Sequence, residues 1–202
     1  MSISHLAVVH PDAVLGEDVT IDPFVTIEGG VTIGAGTHIR SHAIIMSGSS
    51  IGNDCTVFPG AIVGGDPQDL KYKGEPTELI IEDHVVIREY CTINRGTTAL
   101  GKTHIKAHAL IMAYSHIAHD CIIGEHAVLA NGVNLAGHVS IGDYTIIGGM
   151  TAVQQFVSIG ESCFIGGGTL VRKDVPHYIK GAREPLSYIG VNSVGLKRRK
   201  FD

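Results

Sequence analysis

From Val9 to Val171 every sixth residue falls in one register, and 25 of those 28 positions hold Val, Leu or Ile, the exceptions being Asp69, Glu75 and Ala99. Four places further along each hexad, from Ala13 to Val175, the residue is Ala, Ser, Thr, Cys or Val except at Pro67, Lys73 and Leu79. An amphipathic helix needs a period of about 3.6 and a half-buried strand a period of about 2, so neither accounts for a period of six. A hexapeptide repeat does. It is the signature of an all-β parallel β-helix, a narrow prism with one branched aliphatic and one small residue pointing inward from each face.

Three hexads make one coil, so residues 1–176 are expected to form the prism and residues 177–202 a short C-terminal tail. Gly16, Gly34, Gly52, Gly64, Gly124, Gly142, Gly148, Gly160 and Gly166 follow the inward aliphatic, where a tight corner calls for a permissive backbone. Val63 and Ile81 stand three hexads apart, yet Gly64 to Ile80 holds Pro67, Gly74, Pro76 and a run of charges. One coil's worth of chain is therefore expected to project as a loop over 64–80, and a loop on a rigid scaffold is a natural carrier of function.

Composition restricts the function classes. The net charge is −5 and no basic stripe runs along the repeat, so nucleic acid is not an expected partner. The N-terminal MSISHLAVVHPDA lacks a charged leader followed by an apolar core, and no apolar run is long enough to span a bilayer. The expectation is a cytoplasmic protein without membrane insertion. Cys55, Cys91, Cys121 and Cys163 all occupy the small inward position. With Cys55, Cys91 and Cys163 assigned to one face, whole coils apart, they read as buried small hydrophobes, too far apart for a disulfide.

Twelve histidines are the second anomaly. Residues three hexads apart are expected to stack, which puts Lys102, Asp120, His138 and Phe156 in one column, Gly101, His119, Gly137 and Gln155 in the next, and His116 above Asn134. An outward-facing His119 beside a carboxylate suits general base work near neutral pH. Gly137 beneath it offers an unobstructed backbone N–H as an oxyanion donor. His5, His10, His38, His42, His84, His104, His108, His126 and His177 read as solvated. A zinc centre built on a pair of histidines at i and i+5 has only His5 and His10 to draw on, so no metal is expected.

The segment His116-Ile-Ala-His119-Asp120-Cys121, with Leu135-Ala-Gly-His138-Val, Ile147-Gly-Gly-Met-Thr-Ala-Val, the loop Gln68-Asp-Leu-Lys-Tyr-Lys-Gly-Glu-Pro76 and Gly195-Leu-Lys-Arg-Arg199, resembles the bacterial UDP-N-acetylglucosamine 3-O-acyltransferases of lipid A synthesis. The resemblance implies a left-handed β-helix assembled as a homotrimer with active sites between subunits. It implies His119 as base toward the sugar 3-hydroxyl, Asp120 as its orienting partner, and the Gly137 N–H as oxyanion donor. It implies as donor an (R)-3-hydroxyacyl group on the phosphopantetheine of acyl carrier protein, with no further cofactor called for.

The same resemblance gives Asp69 to sugar hydroxyls, His116 and His138 to the sugar-nucleotide cleft, and Gln155 and Asn192 to nucleotide or donor. Gln68 and Lys71 would reach the neighbouring subunit, and Arg198 and Arg199 would meet phosphates. Gly167 would leave room for a long acyl chain. Gln154 stands where many members have a histidine, and the chain ends at Phe201-Asp202, before the family's C-terminal helical region. Alternatives are a hexapeptide acyltransferase using a 3-amino sugar or an acyl-CoA donor, and a non-catalytic trimer that binds sugar nucleotide.

Overall fold

The computed structural model describes residues 1–201: a left-handed parallel β-helix, with strands mostly two residues long on three flat faces, followed by a short C-terminal tail. On the first face Val57 is followed by Ile87, Ile111, Leu129, Ile147 and Ile165. On the second, Val63 is followed by Ile93, Ile117, Leu135, Val153 and Val171. On the third, Ile51 is followed by Ile81, Ile105, Ile123, Ile141 and Ile159. These ladders meet in a single core of stacked aliphatics, nearly all fully buried. Each such side chain contributes roughly 1.5–3 kcal/mol through burial, and the core is passed from neighbour to neighbour along the rod.

The coil-to-coil register is three hexads along most of the prism, with two interruptions. Thr56 pairs with Val86, five hexads on, and Thr92 pairs with His116, four hexads on. The first projection therefore removes two hexads from the wall, two-thirds of a coil rather than a whole one, between the strands Ile62–Gly65 and Glu78–Ile81. A second, of one hexad, lies between Thr92–Asn94 and Lys102–Ile105, where Ala99 breaks the aliphatic register. Columns drawn across these segments change accordingly. Cys91 lies on the second face, away from Cys55 and Cys163 on the first, and Lys102 lies beside Glu78 on the third face, not above Asp120. All four thiols are still buried and free.

The corners follow a rule that differs from the glycine expectation. Of the nine glycines, only Gly64 has a positive φ. At Gly34 and Gly142 the constraint is coil-to-coil contact, since a Cβ would lie 2.5 and 2.4 Å from the next coil's backbone. The left-handed residue comes two places later and is often not glycine: Phe24, His42, His84, His108, Asp120, His126, His138, Tyr144 and Phe156 all have φ > 0. Asp and His enter this region more readily than most residues. Repetition aligns the rings into stacks, so His84, His108, His126 and Tyr144 form one continuous column with centroids 4.5–4.8 Å apart. His42 stacks on Phe24, while His38 pairs with Asp22 and His104 with Glu82. These histidines are built into the corners and faces rather than simply solvated.

Beyond the last full coil, Ile179–Ala182 continues the first face in parallel with Phe164 and Ile165, then turns back through an antiparallel strand, Ser187–Val191. A short helix, Ser193–Arg198, follows; the Asn192 side chain caps it by accepting from the Gly195 N–H.

Candidate active site

The corner joining the second face to the third carries the titratable cluster. Ile117 is the inward residue before it and Ile123 the next one after it, so residues 118–121 must turn, and Asp120 takes the left-handed position. The Asp120 side chain is completely buried with no lysine or arginine paired to it among the described residues. Its charge is met by donors. Oδ1 accepts from the Thr97 N–H at 2.9 Å and the Leu100 N–H at 3.3 Å, while Oδ2 accepts from the Thr97 hydroxyl at 2.6 Å and His119 Nδ1 at 2.8 Å. His138 Nε2 lies 3.6 Å from the same Oδ2. Burial alone would raise the Asp120 pKa; the Thr97 hydroxyl, His119 and the Thr97 amide outweigh it and hold the carboxyl below its ordinary value.

A carboxylate accepting at Nδ1 keeps the proton of neutral His119 on that nitrogen and leaves the Nε2 lone pair outward, the tautomer a general base needs. The His119 side chain is only 8% exposed, packed among Asp120, Gly137 and His138, so it is a recessed group and not the open outward one expected. Gly137 is directly against the ring: a Cβ there would lie 2.5 Å from Cε1 and 2.6 Å from Nε2. His138 meets His119 edge-on at 5.1 Å and stacks on Phe156 at 4.7 Å. His116 stands above Asn134 and bonds through Nδ1 to the Thr92 hydroxyl at 2.8 Å; burial pushes its pKa below the usual imidazole value, with Thr92 opposing.

Beside this corner is a cavity of about 320 Å³, lined among others by Asp69, Lys71, Glu75, Thr97, His138 and Gln155. The first projection therefore lies against the cluster. Arg95 fixes it there, donating to the Ser47 carbonyl at 2.6 Å, to Asp66 and to the Tyr72 hydroxyl at 3.1 Å. Gln68 and Gln154 are exposed and do not line the cavity. His119 lies behind that lining, next to His138. A larger apolar cavity of about 550 Å³ under the C-terminal hairpin, lined among others by Leu170, Val175, Ile179 and Leu186, has no histidine in its lining.

Not every expected site residue joins the cluster. Asn192 is buried at the corner between the third and first faces, where its amide donates to the Ser162 carbonyl at 2.9 Å. Arg199 lies over the Tyr144 ring at 5.4 Å on that same corner, and Arg198 closes the short helix beside it. Gly167 occupies the remaining corner, between the first and second faces, where a Cβ would meet the Gly149 carbonyl at 2.9 Å. One chain thus spreads the set over three corners. Thr97 escapes a reading by spacing because it falls on the small-residue register and so resembles one more wall position; the interruption at Ala99 is the available signal.

The model for "Bacterial transferase hexapeptide (six repeats)" matches residues 12–47 and 102–137. An acyl-acyl-carrier-protein UDP-N-acetylglucosamine O-acyltransferase from Chlorobaculum parvum is 53% identical over 201 residues, covering 99% of this chain and 76% of the relative. The protein of the same description from Thermodesulfovibrio yellowstonii is 44% identical over 200 residues, 98% of this chain and 78% of the relative. Among solved structures, LpxA from Acinetobacter baumannii superposes with a TM-score of 0.98 at 43% identity, covering all of this chain and 79% of that one. The Arabidopsis UDP-N-acetylglucosamine acyltransferase does so with a TM-score of 0.86 at 37% identity, covering 99% and 77%. With the hexad prism and this similarity along nearly its whole length, the chain belongs to the UDP-N-acetylglucosamine O-acyltransferase family.

Proposed function

We propose that the protein transfers an (R)-3-hydroxyacyl group from acyl carrier protein to the 3-hydroxyl of UDP-N-acetylglucosamine, the first step of lipid A biosynthesis. The observation that carries the reading is the buried Asp120–His119 pair with Gly137 pressed against the imidazole. His119 Nε2 takes the proton of the sugar hydroxyl as its oxygen attacks the thioester carbonyl carbon. The Gly137 N–H stabilises the resulting oxyanion, and collapse breaks the C–S bond while His119 returns the proton to the departing phosphopantetheine thiolate. The protein contributes position and a proton relay, so the proposal invokes no resident cofactor or metal.

The distribution over three corners supports a homotrimer. Placing Gly167 or Arg199 beside His119 requires a second copy, and a three-fold arrangement sets the corner bearing Asn192, Arg198 and Arg199 of one chain against the corner bearing His119 of the next. Arg198 and Arg199 then supply guanidinium donors for diphosphate, Gln155 and Asn192 bind nucleotide or donor, the exposed Gln68 reaches across from the first projection, and Lys71 serves the cavity of its own chain rather than the neighbour's. Asp69, His116, His138 and Gln154 complete the sugar-nucleotide side. No helix among the described residues is long and apolar enough to cross a membrane. With donor and acceptor both water-soluble, we place the reaction in the cytoplasm.

The test is mass-spectrometric detection of product from UDP-N-acetylglucosamine and a panel of (R)-3-hydroxyacyl carrier proteins, with His119→Ala in parallel. A gain of one hydroxyacyl group that disappears in the variant is expected. Turnover by His119→Ala within a few-fold of the parent would overturn the assignment of the base, and a hydroxylamine-resistant product formed from a 3-amino UDP-sugar offered in parallel, with none from UDP-N-acetylglucosamine, would identify an amino sugar as acceptor.

A further inference from the structure

We infer that Thr97 is a positioning residue for this reaction, acting through Asp120 to fix the orientation of His119; the inference rests on the function proposed above. The chain leaves the prism for one hexad between Ile93 and Ile105, and that detour folds Thr97 and Leu100 onto a carboxylate of the following coil. Thr97 is 8% exposed and, alone among the described residues, holds both carboxylate oxygens, by its N–H on Oδ1 and its hydroxyl on Oδ2. The His119 ring and the Thr97 hydroxyl divide the lone pairs of Oδ2 between them at 2.8 and 2.6 Å. Rotation of the carboxylate therefore has to break a Thr97 bond before it can release the imidazole.

The hydroxyl also tempers the charge that His119 experiences. With the O–H removed, the Oδ2 charge is shared with one donor fewer and stabilises the imidazolium more strongly. The acid limb of kcat/KM then moves upward. The other titratable groups around this corner are His138, whose Nε2 lies 3.6 Å from the same Oδ2, His116 and, on the first projection, Asp69, Lys71, Tyr72 and Glu75. A side chain that merely filled space would change thermal stability and leave that limb in place.

The experiment compares Thr97→Val, Thr97→Ser and Thr97→Cys with the parent, measuring kcat and KM for UDP-N-acetylglucosamine and the pH dependence of kcat/KM. Valine keeps the shape without a donor, serine keeps the donor, and cysteine supplies a weak one. Thr97→Val is expected to lower kcat about tenfold or more, part of the roughly 10²–10⁴ that a general base contributes. KM should be nearly unchanged and the acid limb higher. Serine should restore both, with cysteine in between. A parental kcat and acid limb in Thr97→Val, or in Thr97→Cys should valine not fold, overturns the inference as long as His119→Ala is inactive. An active His119→Ala instead overturns the reading beneath it.

Discussion

Gly137→Ala is the sharpest single perturbation of this corner. The new methyl carbon would stand 2.5 Å from His119 Cε1 and 2.6 Å from Nε2, whereas carbon atoms pack at about 3.5 Å or more. Roughly an ångström of movement must come from somewhere. The φ of Gly137 is not positive, so the backbone accepts alanine without strain and has no reason to yield. The imidazole is the softer partner, but it is tied to Asp120 at 2.8 Å and edged by His138, so displacement stretches or breaks the bond that sets its tautomer. Overpacking of this kind costs about 1–3 kcal/mol of stability, while a misplacement of about 1 Å at the reacting group costs on the order of 10²-fold in rate. The variant should fold and bind UDP-N-acetylglucosamine, with product formation by mass spectrometry reduced about a hundredfold. Turnover within threefold of the parent, in a variant melting close to it, would refute the claim that the imidazole is held against this glycine for catalysis.

Three other outcomes are expected. The depressed pKa of Asp120 means a stabilisation that is full above the unfolded carboxyl value and lost as pH falls through the folded one, so the melting-temperature gap between parent and Asp120→Asn should narrow below about pH 4; a gap independent of pH would contradict it. His126→Ala should melt lower than His126→Asn, because asparagine tolerates the left-handed corner and alanine loses both backbone fit and stacking, about 1–2 kcal/mol together, with turnover equal in both; identical melting would remove the corner rule. The thiols of Cys55 and Cys91 are pushed up to about 11 and that of Cys121 to about 12, in each case chiefly by burial, so Ellman's reagent should count none in native protein at neutral pH and four after denaturation.

The prism is legible in the sequence because inward and outward alternate with the hexad alone, and that count keeps its phase from Val9 to Val171. Which residues stack is a question of threes of hexads, and there the count misleads. Projections of two hexads and of one keep the hexad register and shift the face, so spacing puts Cys91 and Lys102 in the wrong columns while everything after them, from His116 over Asn134 to His119 over Gly137, falls in place. The corner bearing His119 and Asp120 lies after the last interruption, which is why its members can be paired from spacing. Thr97 cannot, since its role depends on a fold-back that spacing does not encode. Nor can the stacked histidines, whose position is chosen by a left-handed φ and the ring one coil away.

Spreading the site over three corners has a genetic consequence. In the proposed trimer, a chain with His119 replaced still lends its Asn192 and Arg199 corner to the next copy, and a chain with Arg199 replaced still provides an intact His119 corner. Two alleles, each silent alone, would then complement one another when co-expressed, restoring about one site in four if copies mix at random. A subunit of this design is half of two different active sites, and its defects are inherited by a neighbour as much as by itself.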